Sequence, residues 1–176
     1  MRSRWPERVP GWRVGGEYFS MTVIGVISDT HGQLRPEAVE VLRGSAMILH
    51  AGDVGVPEIL DELSRIAPVK AVRGNVDRGE WVRERAVPHT EFVEVDSVAI
   101  YLLHNVEELD VSPSAAGIDA VVFGHSHQPS MKAERGVLYF NPGSAGPKRF
   151  KLPVAVGRLY VERGTVRGEI VELKVE

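Results

Sequence analysis

Thr22-Val23-Ile24-Gly25-Val26-Ile27-Ser28-Asp29-Thr30-His31-Gly32 is the stretch on which the reading of this chain turns. Residues 22–28 are largely β-branched and apolar with almost no polar alternation, the mark of a strand buried on both faces and therefore central in its sheet. The chain then switches abruptly to polar and ionisable groups. Pro36 suits a first helical turn, and the run through Val39 and Leu42 reads as helix until Gly44 stops it. Residues 46–50 return to strand. Residues 56–66 carry Ile59, Leu60, Leu63 and Ile66 at helical spacing, and residues 68–73 are again extended. This β-α-β-α-β order predicts a parallel sheet.

Beyond Arg85 the pattern changes, and antiparallel strands are expected to take over. Residues 91–95 and 97–103 read as a hairpin around Asp96, residues 119–123 as a short buried strand, and residues 130–139 as a hairpin turning at 134–136. Residues 154–161 pair naturally with 166–173 across Arg163-Gly164. The simplest architecture is an α/β fold with two mixed sheets packed face to face, helices outside, and active groups on loops after strand ends.

A chain of 176 residues, 43% hydrophobic and 26% charged, fits one globular domain with a sizeable core. The net charge of −3 and pI near 6.1 argue against a broad nucleic-acid surface, which needs many Lys and Arg against phosphates. There is no Cys, so any metal must be held by His, Asp, Glu or Asn, and the composition suits a reducing cytoplasm. No apolar run approaches the ~20 residues needed to cross a bilayer. Residues 1–20 lack the continuous apolar stretch of a secretory signal and are broken by Pro and Gly, so they read as an extension before a domain spanning 21–176. Met21 is an alternative translation start. Trp5, Trp12 and Tyr18 leave open either a homo-oligomer contact or packing onto their own domain.

The chemistry lies at the strand ends. Asp29 and His31, two apart on extended backbone, project from one side and can share a metal; an Asp-Thr helix cap beside a stray His is the ordinary alternative. The second strand ends in His50-Ala51-Gly52-Asp53 and the third in Arg73-Gly74-Asn75-Val76-Asp77, where Gly permits a sharp exit and Asn75 offers an amide oxygen or nitrogen. Alone, both are common turns. His104 ends an apolar strand, where a half-buried histidine is the bland reading. Gly124-His125-Ser126-His127, after a buried strand, is the least ambiguous piece. The specificity lies in the set, because each of these strand ends supplies a metal-competent side chain to one crevice.

The ordered set Asp-x-His, Gly-Asp, Gly-Asn-x-Asp, His and Gly-His-x-His resembles the calcineurin-like metallophosphoesterases, especially their small prokaryotic phosphodiesterase branch. The resemblance covers residues 21 to about 173 and includes Asn141-Pro142-Gly143-Ser144. It implies a four-layer αββα sandwich, the metallo-dependent phosphatase fold. It also implies two divalent ions, Mn²⁺ first with Ni²⁺, Zn²⁺, Fe²⁺ or Mg²⁺ as alternatives. Asp29, His31, Asp53 and His127 would hold one ion and Asp53, Asn75, His104 and His125 the other, with Asp53 bridging. A bridging hydroxide would attack phosphorus in line with the leaving oxygen of a small phosphodiester, and Asn75 would stabilise the phosphoryl oxygens.

Two positions depart from the family pattern. Larger members carry a His after the Asn as proton donor, where this chain has Val76, leaving Asp77 or His50 as substitutes. Asn105 stands where Gly is usual, and Asn tolerates the positive φ such a turn would need. Of the remaining His, His50 reads as core in preference to catalysis and His89 as exposed. Lys148 and Arg149 lie in a loop from which they could reach substrate phosphate, a solvated loop being the plainer reading. The competing functions are a non-catalytic metal-binding scaffold of the same fold, which the full ligand set disfavours, and a small-nucleotide nuclease. A dinucleotide-binding fold is disfavoured because G-x-G-x-x-G is missing after the first strand.

Overall fold

The computed structural model describes residues 20–175 and, at the backbone level, the short antiparallel pair β1 (Arg13–Val14) and β2 (Glu17–Tyr18). The side chains of Trp5, Trp12 and Tyr18, and hence the packing expected of the extension, lie outside the described residues.

The chain continues through β3 (Thr22–Ile27), α1 (Pro36–Leu42), β4 (Met47–His50), α2 (Glu58–Ser64), β5 (Val69–Ala71) and α3 (Glu80–Glu84). Then come β6 (Thr90–Val95), β7 (Val98–Leu103), a 3-10 turn at Val106–Glu108 and β8 (Ala120–Val122). The last strands are β9 (Ser130–Glu134), β10 (Val137–Asn141), β11 (Ala155–Glu162) and β12 (Thr165–Glu172). They form two five-stranded mixed sheets, ordered β12-β11-β3-β4-β5 and β6-β7-β8-β10-β9.

In the first sheet β3, β4 and β5 run parallel and β11-β12 adds an antiparallel edge. The second sheet corrects the expectation of antiparallel pairing, because β8 lies parallel to both β7 and β10. The segments joining β7 to β8 and β8 to β10 are long enough for crossovers, so neighbours in sequence need not form hairpins. The hairpin turns fall where turn chemistry places them. Asp96-Ser97, Arg135-Gly136 and Arg163-Gly164 all have positive φ at both central residues, which matches the twist of the flanking strands.

Both faces of β3 are buried, as its composition requires. Ile24 and Val26 join Leu49, Ile100, Leu102, Val122, Phe140 and Leu159 in the core between the sheets. Ile27 faces the other way, against Ala38 and Leu42 of α1 and Ile59 and Leu63 of α2. α1 follows from Pro36 at its start and the Ala38/Leu42 stripe four residues apart. The outer face of the second sheet is covered more thinly, with Leu103, Ile118, Val121 and Val137 packed under Val106 and Leu109 of the 3-10 turn and its following loop. The fourth layer is therefore a turn and a loop in this chain.

Phe140 holds the sheets in register. Its fully buried ring lies across Gly157 of β11 and Gly168 of β12, where an added Cβ would fall 2.5 Å and 2.7 Å from ring carbons. These glycines form the slot that the aromatic ring fills. Phe140→Ala should lower stability by about 3–5 kcal/mol, and Gly157→Ala, which overpacks the slot, by about 1–3 kcal/mol. Denaturant unfolding of both variants checks this; a Phe140→Ala variant as stable as the parent would mean the ring is not a lock between the sheets.

Candidate metal centre

Every strand that was expected to deliver a polar group does so on one rim of the sandwich. β3, β4 and β5 end side by side in one sheet, and β7 and β8 in the other. Backbone bonds continue past the first-sheet strands: Asp29 N–H donates to Gly52 O at 3.0 Å, His31 N–H to Asp53 O at 2.9 Å, and Gly32 N–H to Val54 O at 2.8 Å. The two loops that carry the candidate ligands are thus laced together.

Asp29, His31, Asp53 and His127 each offer a ligand atom, and these atoms lie within 4.8 Å of one another. The carboxylates are held alike. Asp29 Oδ2 accepts from Ser28 Oγ at 2.6 Å and from His125 N–H at 3.2 Å, while Oδ1 is buried, has no hydrogen-bond partner, and faces His127 Nε2 at 3.3 Å. Asp53 Oδ1 accepts from Val76 N–H at 3.0 Å, and Oδ2 faces His104 Nε2 at 3.4 Å and His31 Nε2 at 3.7 Å. In each carboxylate one oxygen is anchored by the scaffold and the other is turned to the cluster.

His104 shows what the cluster is built for. Its Nδ1 donates to the Ala51 carbonyl at 2.7 Å, and a carbonyl can only accept, so the neutral ring presents the bare lone pair of Nε2 to the Asp53 carboxylate. Lone pair against carboxylate in a buried site is unfavourable unless a cation or proton lies between them. His104 Nε2, like Asp29 Oδ1 and His127 Nδ1, is buried without a partner. The ring of His125 meets that of His104 edge-on at 5.1 Å, and His31 stacks on His127 at 5.2 Å. Asn75 lines the same cleft as His104. The donor set of carboxylates, imidazoles and an amide, with no thiolate, fits an oxygen- and nitrogen-preferring divalent ion.

The electrostatics agree. Burial alone would raise the Asp53 carboxyl, but His104, the Val76 N–H and His31 bring it down to about 2. Burial depresses His104, yet Asp53, the Ala51 carbonyl and Asp29 outweigh it and hold its pKa above the ordinary value, so this position favours positive charge. Asp29 is pushed up by its burial, against the pull of Ser28 and the nearby histidines.

A family model described as the calcineurin-like phosphoesterase superfamily domain matches residues 21–164. A probable metallophosphoesterase of Methanothermobacter thermautotrophicus is 36% identical over 143 residues, covering 74% of this chain and 81% of that protein. The chain belongs to the calcineurin-like phosphoesterase superfamily. A phosphodiesterase of Methanocaldococcus jannaschii is 26% identical over 165 residues, 85% of this chain and 99% of that one. The solved structure of vacuolar protein sorting 29 from Cryptosporidium parvum shares the fold, with a TM-score of 0.70 at 18% identity over 87% of this chain and 98% of that one.

The superfamily chain holds its candidate ligands on strained backbone. Asp29 (φ 54°), His31 (φ 47°), Asp53 (φ 54°), His125 (φ 69°) and His127 (φ 59°) all occupy the left-handed region. Each such residue costs on the order of 1–2 kcal/mol, and such strain persists only where surrounding contacts over-determine it. No feature of the sequence announced this. Gly74 needs room and not positive φ, since a Cβ there would overlap the Asp53 backbone and carboxylate. Asn105 also differs from expectation. Its φ is −111°, and its side chain caps the 3-10 turn by accepting from Glu107 N–H at 3.1 Å, so Asn serves here as a cap.

Neither substitute for a proton donor is placed to act as one. Asp77 is buried and its oxygens accept from Val54, Gly55 and Gly74 N–H at 3.0, 2.9 and 2.8 Å, which ties the second and third loops together. His50 is fully buried, as a core residue should be, but it is also wired to both loops that carry Asp29, His31 and Asp53. Gly52 N–H donates to its Nδ1 at 3.2 Å, and Nε2 lies 3.0 Å from Thr30 Oγ1, which itself donates to Val54 O at 2.9 Å. Thr30 has a single hydroxyl proton, so His50 Nε2–H is the donor and the ring is the neutral Nε2 tautomer. Arg149 lies close enough to His127 for its charge to help depress that imidazole, after burial as the main cause. His89 is exposed, as expected.

Two predictions follow from these geometries. Replacing His125 by Gly should relieve the left-handed strain that Ala retains, so His125→Gly should be more stable than His125→Ala by about 1 kcal/mol, read as a higher melting temperature. Equal melting temperatures would remove the strain argument. Burial pushes His50 from 6.5 down to about 4, so between those values the unfolded chain binds a proton that the folded chain excludes. The folded state pays no protonation penalty above pH 6.5; stability falls progressively between 6.5 and about 4, and the loss is complete below that. Ion-free protein should lose about 3 kcal/mol more than His50→Gln between pH 7 and pH 4, measured by urea unfolding at each pH.

Proposed function

We propose that this chain is a two-metal phosphodiesterase acting on small substrates. The observation that carries the reading is the pair of buried ligand atoms without partners, Asp29 Oδ1 and His104 Nε2, in a pocket of converging carboxylates and imidazoles where His127 Nε2 lies 3.3 Å from the first and Asp53 Oδ2 3.4 Å from the second. Asp29, His31, Asp53 and His127 would hold one ion, Mn²⁺ in the first instance. Asp53, Asn75, His104 and His125 would hold the second, with Asp53 between them. When bound, such a pair supplies a nucleophilic water at neutral pH and positive charge opposite the phosphoryl oxygens. That local charge reconciles a net charge of −3 with a phosphate substrate.

The chain's own groups then have distinct tasks. Ser28 and the His125 N–H orient Asp29, and the Val76 N–H orients Asp53, so the ligand oxygens need not reorganise during reaction. Asn75, exposed in the cleft, can donate its amide N–H to a phosphoryl oxygen, and Arg149 can reach the same group from the His127 side. Val76 is 47% exposed and offers no proton, and Asp77 and His50 are engaged in holding loops. The leaving oxygen therefore departs without a protein acid. The ligand set favours catalysis over a scaffold role, and the acidic surface favours a small diester over a nucleic acid. We assign the catalytic unit to residues 21–176 and its place of action to the cytoplasm.

Ion-free protein should be inactive on p-nitrophenyl diesters and recover with Mn²⁺, and Asp53→Ala should retain neither ion by elemental analysis. General acid catalysis is worth about 10²–10⁴-fold, so its lack should give a steep fall in rate as leaving-group pKa rises. Full activity in excess chelator sinks the metal reading. A flat leaving-group series would show that a protein acid is present after all.

A further inference from the structure

A second charged feature opens beside the proposed centre. A cleft of about 280 Å³ is lined by Asn75 and His104 and, along the same wall, by Arg73, Arg78, His89 and Glu108. Its size is near the lower end of small-molecule sites, enough for one compact group attached to a substrate and too small for a polymer.

The cations in it are left over from folding. Arg73 makes no salt bridge among the described residues, and its Nε is buried with no hydrogen-bond partner. The backbone places it deliberately: Arg73 N–H donates to Pro88 O at 2.8 Å, which sets His89 next to it in the wall. Arg78 donates through Nε to the Asn75 carbonyl at 3.0 Å, tying its guanidinium to the loop that carries Asn75. Asp77 also lines the cleft, but three backbone N–H groups already take up its carboxylate. Two guanidinium groups therefore face one exposed carboxylate, Glu108. Two guanidinium groups that line one cleft with a single carboxylate to balance them fit best an oxyanion that can take a planar fork.

We propose that this cleft is a subsite for a second phosphate, so that the preferred substrate is a phosphodiester one of whose ester groups carries a further phosphoryl dianion, bound by Arg73 and Arg78. The inference rests on the phosphodiesterase reading for the position of the scissile phosphate, while the anion site itself stands on the cleft. Two guanidinium groups select a dianion over a carboxylate, and Glu108 lies where it can accept from a substrate hydroxyl.

The test uses the full chain loaded with Mn²⁺ and three diesters with one leaving group, p-nitrophenol, esterified through phosphate to an ethyl, a 2-carboxyethyl or a 2-phosphonoethyl group. The phosphonoethyl ester should be preferred to the ethyl ester in kcat/KM by about tenfold or more, with the carboxyethyl ester between them. That ratio should fall toward one in Arg73→Met and in Arg78→Met, the second being an exposed site whose replacement leaves the core untouched. Equal kcat/KM for all three esters, or a ratio that survives both substitutions, overturns the subsite and leaves the phosphodiesterase reading standing. Preference for the carboxyethyl ester overturns the assignment to phosphate. If none of the esters is hydrolysed, the activity reading fails, and calorimetric titration of ion-free protein with 2-hydroxyethylphosphonate decides the subsite: binding that Arg73→Met abolishes supports it, and no binding overturns it.

Discussion

The 2.7 Å hydrogen bond from His104 Nδ1 to the Ala51 carbonyl is the constraint on which the rest of the site depends. It crosses from the end of β7 in one sheet to the end of β4 in the other, at the rim where the sandwich opens. Because a carbonyl cannot donate, the bond leaves the neutral ring no choice of tautomer, and the lone pair it exposes points at Asp53. The two sheets are thereby joined by a bond whose by-product is an imidazole nitrogen open to a cation. Gly52 must come close for this to happen, since a Cβ there would fall 2.6 Å from His104 Nδ1.

The other cross-sheet contacts repeat the pattern. His125 N–H reaches from the end of β8 to Asp29, and Ser144 Oγ donates to Asp29 O at 3.0 Å. Asn141 donates to Gly124 O and to Ser126 Oγ, both at 3.0 Å, and so holds the loop that carries His125 and His127. The Asn-Pro-Gly-Ser stretch thus supports the loops on both sides of the pocket. Scaffold and site are one hydrogen-bond network, and the fold places the candidate ligands by satisfying its own backbone.

Much of this was legible in the sequence, and the boundary between what was and was not has physical causes. Buried strands announce themselves by composition, so β3, β4 and the five polar strand ends that converge on the pocket could be read directly. The parallel direction of β8 could not, because a three-residue apolar strand looks the same in either direction. The thin covering of the second sheet was invisible because it is made of loop. Helix α3 was missed since five residues carry too little periodicity. At the site, residue types picked out the side chains that the fold brings together, whereas the wiring of His50 and Asp77 depends on which backbone N–H groups the fold leaves unpaired. Arg73 and Arg78 bracket the Gly-Asn-x-Asp loop in the sequence, but only the cleft shows that they share a wall.

The left-handed backbone at Asp29, His31, Asp53, His125 and His127 has a consequence for how such a protein can change over time. Together these positions store on the order of 5–10 kcal/mol, comparable to the whole margin by which a domain of this size stays folded. Glycine at His31, His125 or His127 would release part of that strain, whereas at Asp29 or Asp53 it would also remove the carboxylate that Ser28, the His125 N–H or the Val76 N–H bonds, so the backbone cost of the pocket falls unevenly on its members. The strain is thus carried for the arrangement of side chains at this rim and adds nothing to the stability of the fold.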